Sequence, residues 1–228
     1  MHKDTLFSFL QNLFIWKSVS ENDSLFNEKK DPFDLDSLER DPRKVTQATS
    51  QTMPKIRYGN ILPNSNTEVS LEAETDTYIN ANYIKGEDGD RTYIATQGPL
   101  DGTETDSGNR PLGKADTQGD FWQMAVEQES SCIVMLTKTK EGTKTKCAEY
   151  YPTELNPLKS FEASDGNTYN VYLMSSEVES EGEQKFTKRT LEITVTSPDR
   201  TERKKRTITH LQHEGWPDHG APKDKDAL

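Results

Sequence analysis

Apolar residues in this chain come in short runs separated by long polar stretches. Leu6, Phe9, Leu10, Leu13 and Phe14 follow i, i+3, i+4, i+7, i+8 spacing, which predicts an amphipathic helix at the N-terminus. From Lys17 to Pro54 the pattern turns polar and is broken by Pro32, Pro42 and Pro54. This reads as a connecting region with one short helix around residues 35–46. The core is expected to begin near Ile56. Residues 77–84, 91–97, 132–137, 146–151, 168–174, 190–195 and 206–212 are rich in β-branched and aromatic side chains and mostly alternate, so each is a predicted strand. One helix is predicted between the second and third of these. Thr117 suits its N-cap, Asp120 its positive first turn, and Phe121, Met124 and Ala125 share a face. Residues 101–118 hold almost nothing apolar and read as a surface insertion, and residues 177–184 as a polar loop. The division expected is an N-terminal region over 1–53 and a folded domain over 54–228.

Composition narrows the picture. Only 31% of the residues are hydrophobic and mean hydropathy is -0.92, so long polar segments surround a modest core. A net charge of -11 argues against binding nucleic acid through its phosphates. The 2 cysteines, Cys132 and Cys147, are too few for a disulfide scaffold and suit a reducing cytoplasm. No run approaches a membrane span, and the apolar start lacks the cleavage site of a signal peptide.

Three constellations bear on chemistry. His210 and His213, with His219 nearby, suggest a metal pair, but strand residues three apart point to opposite faces. Cys132 lies in an apolar run, and no glycine-rich anion cradle follows Cys147, so neither reads as a nucleophile. The basic run from Arg200 to Arg206 reads as a solvated hairpin edge rather than an anion site. Separately, Trp216-Pro217-Asp218-His219-Gly220 places an acid between a rigid proline and a permissive glycine, which suits a general acid on a moving loop.

Several blocks, in order, resemble the cysteine-dependent protein tyrosine phosphatases. Lys55-Ile56-Arg57-Tyr58-Gly59-Asn60-Ile61-Leu62-Pro63 is similar to the family's phosphotyrosine-recognition loop. Tyr78-Ile79-Asn80-Ala81-Asn82-Tyr83-Ile84 and Tyr93-Ile94-Ala95-Thr96-Gln97-Gly98-Pro99-Leu100 resemble the next two blocks. Asp120-Phe121-Trp122-Gln123-Met124, Ile133-Val134-Met135-Leu136-Thr137 and Lys146-Cys147-Ala148-Glu149-Tyr150-Tyr151-Pro152 follow, then Trp216 to Pro222 as the acid loop. Departures fall at Ile56, Glu68, Val126 and Tyr151, where the family usually has Asn, Arg, Trp and Trp. The insertion at 101–118 is longer than the family's usual turn. The nucleophile signature His-Cys-(x)5-Arg does not occur in these 228 residues, so a fragment of the catalytic domain is expected.

The resemblance implies an α/β (α+β) fold with a strongly twisted mixed central sheet flanked by helices. It implies hydrolysis of protein phosphotyrosine through a phosphocysteine, with Asp218 as the acid. Tyr58 and Asn60 would bind substrate, and Trp216, Lys146, Glu141 and Gln97 would support the loops. No metal or cofactor is implied. The partners implied are phosphotyrosine-containing proteins, with no nucleic acid and no membrane span. Without its nucleophile the chain is expected to be inactive alone; the alternative is a catalytically dead binding or scaffold module.

Overall fold

Alternation of β-branched and aromatic residues with polar ones favours half-buried strands, and most of the chain's predicted strands join one sheet. The computed structural model describes residues 14–17, 45–85, 92–106, 108–142, 144–181 and 184–213. The strands, in chain order, are β1 (Phe14–Lys17), β2 (Glu68–Ser70), β3 (Tyr78–Lys85), β4 (Thr92–Thr96), β5 (Cys132–Met135), β6 (Lys140–Glu141) and β7 (Lys144–Thr145). They continue with β8 (Leu158–Glu162), β9 (Thr168–Glu181), β10 (Gln184–Thr196) and β11 (Glu202–His213). One nine-stranded sheet has the order β2-β3-β4-β1-β5-β11-β10-β9-β8, and β6 pairs with β7 as a separate hairpin. The sheet is mixed: β11 is parallel to β5 and the other neighbours are antiparallel. Because β1 is antiparallel to both β4 and β5, strands β4, β5 and β11 all run in one direction.

Helix α1 (Gln118–Glu127) is buried on every side from Gln118 to Val126. That is the behaviour of a helix enclosed by the core rather than lying on it. Phe121, Trp122 and Met124 pack with Ile133, Met135, Val171, Leu191, Ile193 and Ile208 of the sheet. The Trp122 indole donates to the Tyr150 carbonyl at 3.0 Å, so its one polar atom is satisfied in the core. Thr117 occupies the N-cap position, but its hydroxyl makes no cap bond; it accepts from the Leu100 amide at 3.0 Å and closes the base of the insertion.

The structure corrects several sequence expectations. Residues 146–151 are not a strand. Cys147 and Ala148 are buried consecutively, and their amides bond to Thr139 and Pro99 carbonyls instead of a strand ladder. Most of the polar stretch 177–184 is strand rather than loop: β9 runs to Glu181 and β10 begins at Gln184, in a ribbon where Glu177 faces Lys188 and Lys188 pairs with Glu179 at 3.1 Å. Cross-strand pairing of opposite charges replaces the apolar signal that alternation would have given. Phe14, the last position of the predicted N-terminal helix face, opens β1, which fills the space between β4 and β5. This brings residues from the N-terminal side of the expected boundary into the main sheet. The rest of that predicted helix lies outside the described residues, as do residues 35–44 of the second one; Val45 makes an isolated bridge with Asn64.

Candidate functional site

The Tyr58 loop starts from a 3₁₀ turn over Met53–Lys55 with Pro54 near its start, where a missing N–H costs nothing. Lys55 is buried and its ammonium meets Asp120 at 2.6 Å and Asp76 at 2.7 Å, which pins the turn to the N-terminus of α1. The Arg57 backbone amide donates to the Gln97 side-chain oxygen at 2.9 Å, and the Gln97 amide donates to the Lys55 carbonyl at 2.7 Å. Asn80 donates to the same Gln97 oxygen at 3.1 Å and to the Ile61 carbonyl at 2.9 Å. The chain is thus fixed on both sides of Tyr58, and the Ile61 amide turns back to the Tyr58 carbonyl at 2.9 Å. Tyr58, Gly59 and Asn60 stand exposed at the tip, with Tyr58 at 36%.

Arg57 joins this loop to its neighbours. Its guanidinium donates to the Gly98, Pro99 and Thr145 carbonyls at 3.0, 2.6 and 3.4 Å and pairs with Glu104 at 3.3 Å. Gly98 packs closely here, since a Cβ would sit 3.0 Å from the Cys147 sulfur and would force its neighbours to give. Thr145 belongs to the β6–β7 hairpin, which presents Glu141 and Lys146 to each other at 3.7 Å. Gln97 follows β4, this hairpin follows β5, and β11 ends at His213; with those strands running in one direction, all three features leave the same edge of the sheet.

Cys147 is fully buried. Desolvation pushes its thiol up to about 12, against a smaller downward pull from Arg57. Cys132 is half-buried and burial raises its thiol as well. Neither is a thiolate at neutral pH. His210 is buried against Tyr150, Tyr151 and Arg189, and Arg189 also donates to the Gln212 side-chain oxygen at 3.0 Å. Burial and the Arg189 charge press the His210 ring down to about 3. Arg189 also lies over the Tyr151 ring at 4.4 Å. Among the described residues no group of three or more His, Cys, Asp or Glu could hold a metal ion.

Trp216 and Asp218, with His219, lie outside the described residues. Arg57, Lys55, Glu104 and Lys114 were not singled out by the sequence. The first two sit inside the Tyr58 block and had a local signal. The other two lie in the polar insertion, where nothing in the pattern separates a buried charge from a solvated one.

A protein-tyrosine phosphatase family model matches residues 52–228. The rat receptor-type tyrosine-protein phosphatase C is 34% identical over 188 residues, covering 78% of this chain and 12% of that protein. The human tyrosine-protein phosphatase non-receptor type 7 is 35% identical over 179 residues, covering 76% of this chain and 41% of that one. Tyrosine-protein phosphatase 1 of Dictyostelium discoideum is 36% identical over 176 residues, covering 74% and 29%. The chain therefore spans less than half the length of these relatives. A solved structure concerning the PTPN18 fingerprint on distinct HER2 tyrosine phosphorylation sites has a TM-score of 0.59 at 28% identity, covering 79% of this chain and 55% of that one. No described helix is long and apolar enough to cross a membrane.

Proposed function

The chain belongs to the protein-tyrosine phosphatase family, and from that premise we propose that it supplies the recognition and general-acid parts of a phosphotyrosine hydrolase. The observation that carries this reading is the shared sheet edge, at which Gln97, the Glu141–Lys146 hairpin and the end of β11 at His213 all lie. Active sites in sheets with parallel strands collect at such carboxyl ends.

In this reading Tyr58 stacks on the substrate ring, and Asn60 contacts the substrate beside it. The depth that Tyr58 sets excludes the shorter phosphoserine. Gln97 holds the loop through its two-way amide. A thiolate attacks phosphorus, an S–P bond forms, and the P–O bond to the tyrosyl oxygen breaks. Asp218 donates its proton to that departing oxygen, then takes one from the water that hydrolyses the phosphocysteine. Trp216 seats the acid loop, Lys146 tethers it when closed, and Glu141 orients the cradle arginine. No metal or cofactor enters.

The 228 residues contain no His-Cys-(x)5-Arg, and Cys147 is buried and protonated, so this chain by itself does not turn over substrate. Phosphotyrosine-containing proteins are its substrates when the nucleophile segment is supplied. A cytoplasmic setting belongs to the same reading. The test is phosphotyrosine-peptide hydrolysis by the purified chain and by a chimera continued with the nucleophile segment of a relative. We expect no turnover from the first and activity from the second. In the chimera, Asp218→Ala should lower kcat by roughly 10²–10⁴-fold, and Tyr58→Ala should raise KM. Turnover by the unmodified chain that Asp218→Ala reduces would sink the inactivity claim; a chimera indifferent to both substitutions would sink the assigned roles.

A further inference from the structure

We propose that the insertion between β4 and α1 is a clamp on the Tyr58 loop, with Glu104 and Lys114 as its positioning residues. This rests on the reading of that loop as the recognition element. The insertion is a built structure rather than a solvated excursion. Its two limbs are bridged at Asp101 with Asp116 and at Thr105 with Pro111. The Asp106 carboxylate closes its tip, accepting from the Gly108 and Arg110 amides at 2.8 and 2.9 Å and from the Arg110 guanidinium at 2.8 Å. The Leu112 amide returns to the Glu104 carbonyl at 2.9 Å.

From this frame three tethers reach the segment that enters the Tyr58 loop. Glu104 pairs with Arg57 at 3.3 Å, both side chains being buried at 6% and 4% exposure, and the same carboxylate oxygen accepts from the Asp101 amide at 3.1 Å. The Lys114 ammonium donates to the Met53 carbonyl at 3.3 Å and to the Ile56 carbonyl. The Ala115 amide donates to the Pro54 carbonyl at 3.0 Å. Residues 53–57 are therefore held from outside by the insertion and from inside by Gln97. Two fully desolvated charges hold one geometry far better than an exposed pair does. The segment has little freedom left, and Tyr58 follows directly from it.

The carboxylate and the ammonium carry opposite charges in the same clamp. Glu104 is the main charge favouring the protonated Lys114, against the burial that opposes it. The insertion thus sets where Tyr58 stands, and with it the depth and tilt of the pocket mouth.

Hydrogen exchange of the full chain, read on peptides covering residues 54–62 and 188–195, tests the clamp. Glu104→Ala and Lys114→Ala should each raise exchange in 54–62 by about tenfold while leaving 188–195 unchanged. Lys114→Arg, which keeps the cation and its donors, should restore protection. The clamp is overturned if both alanine variants leave 54–62 as in the parent, if they loosen both regions alike, or if arginine fails to restore what alanine loses. Should Glu104→Ala not fold, the half-buried Lys114 decides alone. The readout involves no phosphotyrosine. If the clamp variants loosen the loop but Tyr58→Ala leaves the chimera's KM unchanged, the recognition reading falls and the clamp stands.

Discussion

Gln97 shows how much one uncharged side chain can organise. Its oxygen accepts from the Arg57 amide and from Asn80, and its nitrogen donates to the Lys55 carbonyl. A glutamate here would lose the donor, and an alanine would take the partner from the Arg57 amide, the Lys55 carbonyl and one N–H of Asn80, an unpaired buried group costing about 1–3 kcal/mol. Cys147 illustrates the opposite case, a group silenced by its surroundings. Packed against Gly98 and fully buried, its thiol is pushed up to about 12 and stays protonated at pH 8. In native protein at that pH, alkylation read by mass spectrometry should modify the half-buried Cys132 first and Cys147 only after unfolding. Rapid native labelling of Cys147 would contradict its assigned burial.

At the scale of elements, α1 is the piece that most depends on close approach. A Cβ on Gly119 would lie 1.8 Å from the Glu162 carbonyl oxygen at the end of β8. The contact is with backbone, so no rotamer change relieves it. Gly119→Ala should therefore destabilise the fold by about 3 kcal/mol or more, despite alanine's better helix propensity. A urea-unfolding midpoint equal to the parent's would refute this. The residue after Gly119 is Asp120, which takes the Lys55 ammonium on one oxygen and the Ser164 amide at 2.9 Å on the other. A shift of α1 would be passed to the 3₁₀ turn and on to the Tyr58 loop. The far half of β9 has the reverse character: beyond the end of β8 its ladder partner among the described residues is β10 alone, with the exposed Lys188–Glu179 ion pair added, whereas β10 is backed by β11 on its other side. Exposed ion pairs add little stability.

For the molecule as a whole, the buried histidine gives stability a defined pH dependence. Arg189 only donates, so the His210 Nδ1 accepts and its Nε2–H donates to the Tyr150 hydroxyl at 2.8 Å. The folded state keeps the ring neutral down to about 3, whereas the unfolded ring protonates near 6.5. Between those values the unfolded state binds more protons, so stability rises with pH. It is fully present above the unfolded value and is lost as pH falls toward the folded one. His213, also lowered by burial, contributes with the same sign. The melting temperature should fall as pH is lowered from about 7 to about 4, and His210→Asn should flatten that slope even though it lowers the plateau. An unchanged slope in the variant would assign the acid sensitivity to the carboxylates instead.

How much of this was legible in the sequence follows from the range of the interactions involved. Strands β3, β4, β5 and the first half of β9 could be read because β-branched and aromatic residues recur along them at strand spacing. Helix α1 and the Tyr58 block were legible for the same reason, since their signals lie within a few neighbours. The far ends of β9 and β10 were not, because their polar residues are ordered by partners on the facing strand. Residues 146–151 misled because burial without a partner strand looks like a strand. The sequence alone determined the family, the order of its blocks and the absence of a nucleophile motif within these residues. Only the tertiary structure decided that β1 fills the middle of the sheet, that Cys147 is sealed away, and that Glu104 and Lys114 reach back to the Tyr58 loop. Those are contacts between residues far apart in the chain, and a local pattern carries no record of which distant partner a charge will find.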